Sequence, residues 1–189
     1  MGAELVSAFR LALPEWIADI TDEDRAYPGD LAKMELAVRL ARENVRRASG
    51  GPFGAAIFDE ADRLVAVGVN RVVPMHASIA HAEIMAIVCA QQRLGRHRLD
   101  EGGGRFLLAT SAQPCCQCYG ALFWAGLSEL LIGARGEDVE RLTEFDEGPL
   151  PEDWIGALAR RGITVRRDLL REEACAVLAE YASAGGPFY

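Results

Sequence analysis

Residues 110–120, TSAQPCCQCYG, place three cysteines within four positions, behind a proline and ahead of a glycine. Such a cluster can serve redox exchange, a structural metal or a catalytic metal, and its partners elsewhere in the chain decide between them. The partner that matters is HAE, residues 81–83. Both motifs fall where a helix is expected to open directly after a loop or strand. RFLLATS (105–111) reads as a buried strand, and Pro114 suits the first turn of the helix PCCQCYGALFWAG. SIAHAEIMAIVCAQQRLG (78–95) reads as a second helix, with Gly95 at its C-cap.

Working outward, GDLAKMELAVRLARENVRRA (29–48) repeats apolar residues at helical spacing, with Asp30 as the expected N-cap. AAIFD (55–59) and LVAVGVN (64–70) are strand-like runs joined by a polar turn, a hairpin. ELLIGA and ITVRR read as further strands; EDVERL, EDWIGALARRG and REEACAVLAEYAS read as helices. A short helix near residues 3–12 is expected before Pro14, and AGGPFY (184–189) reads as a free tail. Strands alternating with helices after an initial hairpin predict a mixed sheet covered by helices on both faces. The 189 residues suit one domain, with 1–29 as an N-terminal extension.

His81, Cys115 and Cys118 offer three good zinc ligands and leave a fourth position free, the arrangement of a catalytic rather than a structural site. Helix starts carry free N–H groups and positive dipole ends, so both thiols are expected to be held low as thiolates. Glu83 lies two residues from His81, on the opposite side of a regular helix, but in the first turn it can still reach a water at the metal. The competing readings of CCQC are a redox pair and a structural zinc; neither needs Glu83 or Pro114. Cys116, between the ligands, is assigned to packing, and Cys89 and Cys175 to buried helix faces. His76 and His97 sit in polar loops and are assigned to the surface. GGPFG (50–54) lacks the Lys-Ser/Thr ending of a phosphate loop, so its glycines are assigned to a tight turn.

Composition narrows the class. Half the residues are hydrophobic and a quarter charged, an ordinary globular balance. The formal net charge of −8, with RLGRHR (93–98) the densest basic run, argues against a polynucleotide and for a small, weakly charged substrate. No stretch approaches the roughly 18 apolar residues of a membrane span. Glu4, Arg10, Glu15 and Asp19 interrupt the first twenty residues, unlike a secretory signal, and the five cysteines are clustered rather than spread as a disulfide framework. A cytoplasmic location is expected.

The segments GGPFGAAIF, GVNRVV, AHAEIMA, PCCQCYGALFWAG, FDEGPLPEDW and the terminal PFY together resemble the cytidine deaminase-like zinc hydrolases. H-x-E followed by P-C-x-x-C is the signature of that chemistry. FDEGP and the aromatic tail point to the guanine branch. The resemblance covers more than two thirds of the chain, from GGPFGAAI onward. It implies a three-layer helix–sheet–helix sandwich around a mixed five-stranded sheet, assembled as a homodimer. It implies hydrolytic deamination of a free base, guanine to xanthine and ammonia, with ammeline or another triazine, cytosine or guanosine as the alternative rings. His81, Cys115 and Cys118 would hold Zn²⁺ and Glu83 would shuttle protons. Glu147 would be a second acidic group that recognises the purine and moves protons. Asn70, Phe53, Ala82, Trp124, Asp146 and Tyr189 would contact the substrate, Tyr189 from a tail that closes over a pocket. From the residues alone plainer readings stay open: a left-handed turn for Asn70, core for Phe53 and Trp124, solvated loop carboxylates for Asp146 and Glu147, a mobile end for Tyr189. One position departs from the family: Gln113 stands where Glu commonly precedes the Pro-Cys pair.

Overall fold

The runs on either side of residues 60–63 form the expected hairpin in the computed structural model, which describes residues 5–189. Ahead of it come α1 (Ile17–Ile20) and α2 (Gly29–Arg46); the hairpin is β1 (Gly54–Asp59) and β2 (Leu64–Val69). Then follow α3 (Val72–Met75), α4 (Ala82–Leu94), β3 (Phe106–Ala112), α5 (Cys116–Ala125) and β4 (Glu129–Ala134). The chain continues through α6 (Gly136–Leu142), α7 (Trp154–Ala159), β5 (Thr164–Arg166) and α8 (Arg171–Ser183). The five strands make one sheet in the order β2-β1-β3-β4-β5. β1 runs antiparallel to both its neighbours, while β3, β4 and β5 are parallel. Thus β2, β3, β4 and β5 all point the same way, and their C-terminal ends open on one edge of the sheet.

Alternation along β1 divides the core into two. Ala56 and Phe58 pack with α2, α6 and α8, while Ala55 and Ile57 pack with α4, α5 and α7. β3, in the middle, is buried at every position, as a strand covered on both faces must be. The expected three-layer sandwich around a mixed five-stranded sheet is therefore what the chain forms.

Three local expectations are corrected. Asp30 does not cap α2: the chain enters that helix through Pro28 and a left-handed Gly29 (φ 75°), so Asp30 is already in the first turn. Its carboxylate instead receives Arg166 of β5, Nε to Oδ2 at 2.6 Å. Pro114 lies one residue ahead of the N-cap Cys115 rather than inside α5. Residues 5–14 form no helix, and residues 3 and 4 of that expectation lie outside the described residues. So short a helix is marginal in water; Leu11 and Leu13 instead lie against a small cluster of Val72, Ala80 and Met85.

Candidate active site

α4 and α5 both begin at the sheet edge where β2 and β3 end. Gly68 of β2 lets α4 come down onto the strand: a Cβ there would strike the Ala82 carbonyl and lie 2.5 Å from Ala86 N. His81 is the N-cap of α4 and Cys115 the N-cap of α5, both with extended backbone (φ −70°, ψ 155° and φ −65°, ψ 174°) and neither side chain capping its helix. The side chains are left free to meet. His81 Nδ1 is 3.4 Å from Cys115 Sγ and 3.6 Å from Cys118 Sγ. A tetrahedral zinc with Zn–S about 2.3 Å and Zn–N about 2.0–2.1 Å separates such N and S ligands by about 3.6 Å, so the three residues fit the metal. They are the only group of three or more possible ligands found among the described residues, with all ligand atoms within 4.8 Å of one another.

Extended backbone at His81 removes the helical-wheel objection to Glu83. His81 precedes the helix, Glu83 is its second residue, and both line the same pocket. Glu83 is buried, with Oε2 3.4 Å from Cys118 Sγ. Burial, reinforced by the Cys115 charge, raises its pKa to about 6, against the opposing pull of His81. For His81, burial works against the charged form, but the hydrogen bond to Cys115 and the charges of Glu83 and Cys115 outweigh it and raise the pKa.

The thiols do not both sit low. The Cys118 hydrogen bond, and less strongly that of His81, brings Cys115 down to about 4. Cys118 is pushed well up, first by its hydrogen bond to Cys115 and then by burial and Glu83. Cys118 therefore favours its thiol form, and a metal ion must displace that proton to bind both sulfurs as thiolates.

The pocket beside this cluster is small, with about 50 Å³ of enclosed space, and it opens to solvent at its mouth. Phe53, Asn70, Ala82, Asp146, Glu147 and Tyr189 all line it with His81, Glu83 and Cys115. Cys118, at 0 % exposure, lies behind Cys115. Trp124 does not line the pocket of this chain: it is 76 % exposed on α5 and is not in the core. Asn70 has no left-handed backbone, and Gly50 and Gly51 have no positive φ either, so no left-handed turn explains these residues. The glycines give close approach, since a Cβ on Gly51 would lie 2.6 Å from the Tyr189 hydroxyl and 3.2 Å from Asn70 Oδ1.

Two pocket residues carried no role in the sequence reading, Gln113 and Phe145. Phe145 is the hub of an aromatic cluster, its ring centroid 5.2 Å from Phe53 and 5.0 Å from both Phe188 and Tyr189. The only hint of it was an aromatic residue at the head of an acidic loop. The tail is therefore not free: Tyr181 donates to the Pro187 carbonyl at 2.6 Å, and Tyr189 reaches the pocket of its own chain. Cys116 is exposed rather than packed inside, but its N–H donates to the Glu147 carbonyl at 2.9 Å and its sulfur faces Gly148. Asp146, on the rim, accepts from Gly148 N at 2.8 Å and so turns the loop.

Glu147, in contrast, is buried. Burial, then the charges of Cys115 and Glu83, raises its pKa to about 8. A carboxyl raised in the folded state contributes stability that is complete below the unfolded value and is lost as pH rises through the folded one. In zinc-free protein, Glu147→Gln should therefore match wild type near pH 4.5 and exceed it above pH 8, by on the order of 2–3 kcal/mol. Urea melts at the two pH values measure this; parallel curves would place Glu147 in solvent.

The family profile "Cytidine and deoxycytidylate deaminase zinc-binding region" matches residues 29–134. The guanine deaminase of Nitrosomonas europaea superposes with a TM-score of 0.89 at 43 % identity, covering 96 % of this chain and 100 % of that one. A chain solved with 2,6-diaminopurine has the same TM-score at 44 % identity, covering 96 % of each. The guanine deaminase of Bacillus subtilis (strain 168) is 38 % identical over 105 residues, 56 % of this chain and 64 % of that protein. With more than half its length matched, and with the His-Cys-Cys cluster at the helix starts, this chain belongs to the cytidine and deoxycytidylate deaminase zinc-binding family.

Proposed function

We propose that the chain hydrolyses guanine to xanthine and ammonia. The observation that carries this reading is the pairing, in one pocket, of two buried carboxyl groups, Glu83 and Glu147, with the His81–Cys115–Cys118 cluster. The likeness to the Nitrosomonas enzyme across nearly the whole chain supports guanine as the ring. Zinc held by these ligands would acidify water toward neutral pH and so supply the nucleophile. Glu83 takes one proton of the attacking water and passes it to the ring nitrogen. It then takes the remaining proton from the hydroxyl added to the ring carbon and delivers it to the amino group, which leaves as ammonia as the C–N bond breaks and the C=O forms. Glu147, raised to about 8, can hold or release a proton against the donor edge of the purine. Phe53 and Phe145 offer apolar faces to the ring. Ala82, the first residue of α4, has an N–H without an intrahelical partner that can serve as a donor. Asn70 supplies a further amide donor, and Tyr189 closes the mouth. Ammonia release from guanine, cytosine, ammeline and guanosine tests this reading, and an inert guanine with another ring active would remove it.

The same proposal includes a single domain working as a homodimer in the cytoplasm. α5, CQCYGALFWA, is apolar on nearly every side, yet Trp124 is 76 % exposed and a Cβ on Gly120 would meet open space. Such a helix fits a surface covered by a second copy. Sedimentation as a 20.5 kDa monomer would count against it. The net charge of −8 agrees with a small, weakly charged substrate rather than a polynucleotide.

A further inference from the structure

Asn44, in the last turn of α2, is at 0 % exposure, and a buried amide must find partners. Its Nδ2 donates to the carbonyls of Gly51 at 2.8 Å and Asn70 at 2.9 Å. Its Oδ1 accepts from the Ser49 hydroxyl at 2.7 Å. The two segments it joins form one wall of the pocket: residues 49–53 lead into Phe53, and Asn70 follows β2. The fit is close, since a Cβ on Gly50 would lie 2.7 Å from Asn44 Nδ2.

The latch decides what Asn70 can present. Its N–H donates to the Phe53 carbonyl at 3.1 Å, and its own carbonyl is taken by Asn44. Its Oδ1 accepts from Val72 N at 3.2 Å. The side-chain NH₂ is the polar group of Asn70 not committed to these partners, and the side chain lines the pocket together with Tyr189. Upstream, Trp16 Nε1 donates to Ser49 Oγ at 3.0 Å, so the segment before α2 braces the same latch.

We propose that Asn44 is a positioning residue for the purine: by holding the Asn70 carbonyl and the Gly51 turn together, it fixes the Asn70 NH₂ as a donor toward an acceptor on the ring. This rests on the guanine reading above. The test is a double-mutant cycle of kcat and KM for guanine with Asn44→Ala, Asn70→Ala and both, alongside zinc content. Asn44→Ala should raise KM about tenfold with one zinc per chain retained, and should add less than about twofold in the Asn70→Ala background. Ser49→Ala, which removes the partner of Oδ1 and the acceptor of Trp16 Nε1 while leaving the two Nδ2 donations in place, should move KM the same way by about threefold, and it decides the matter if Asn44→Ala does not fold. An unchanged KM, or an equal loss in both backgrounds, would overturn the proposal, since a merely structural asparagine does not couple to Asn70. A wild-type protein inert toward guanine would overturn both this and the guanine reading; an active wild type with an uncoupled cycle overturns only this one.

Discussion

Glu83→Ala is expected to lower turnover by about 10³–10⁴-fold while the protein keeps its zinc. The carboxyl is buried and flanks the ligand cluster, with Oε2 3.4 Å from Cys118 Sγ. It is positioned to meet both a water at the metal and a ring in the pocket. Its side chain is not needed to complete the ligand triad, so metal content and turnover should separate. Burial raises its pKa to about 6 in the metal-free site, and a nearby divalent cation pulls that value back down by favouring the carboxylate. The acidic limb of the kcat profile should therefore lie below pH 6. Activity falls there because protonated Glu83 cannot accept the water proton, and that limb should vanish in the variant. Single-turnover rates with zinc quantified by mass spectrometry give both readouts; near-normal rates with full zinc would exclude Glu83 as the proton carrier.

The parts of this site legible in the sequence are those set by neighbours in the chain. A helix opening at HAE and another at CCQC follow from local apolar spacing, and the ligands fall at those openings. What the sequence concealed depends on approach between distant segments. Phe145 matters because Phe53, Phe188 and Tyr189 converge on it, and no spacing rule brings those residues together. Gly50 and Gly51 read as turn residues, and a turn is there, but only the fold shows that they are also small because Asn44, Asn70 and Tyr189 crowd them. Asn44 had no sequence signal of its own, and only the fold shows its amide wholly buried. Asp30 was read from its place beside a helix start, but a tertiary partner, Arg166, claims it. Trp124 was assigned by motif position, and in this chain it faces solvent.

Cys116 and Cys118 of PCCQC should respond in opposite ways to the same change. Cys118→Ala should lose zinc and at least about 10³-fold of activity, because a carboxylate or water in place of the thiolate does not restore the His-Cys-Cys set. Cys116→Ala should stay within about twofold of wild type, since its side chain is exposed and its useful contact, the N–H to the Glu147 carbonyl, belongs to the backbone. Neither variant should unfold the protein. The two core layers on either face of the sheet are built from aliphatic and aromatic side chains that do not involve the metal, so chelated wild type should still melt cooperatively. A structural zinc would behave otherwise, with metal loss and unfolding coinciding. Zinc content, ammonia release and thermal melts on the two variants and on chelated wild type separate the cases: collapse of the melt on chelation would turn this catalytic cluster into a structural one, and loss of zinc from Cys116→Ala would show that the wrong pair of sulfurs had been assigned.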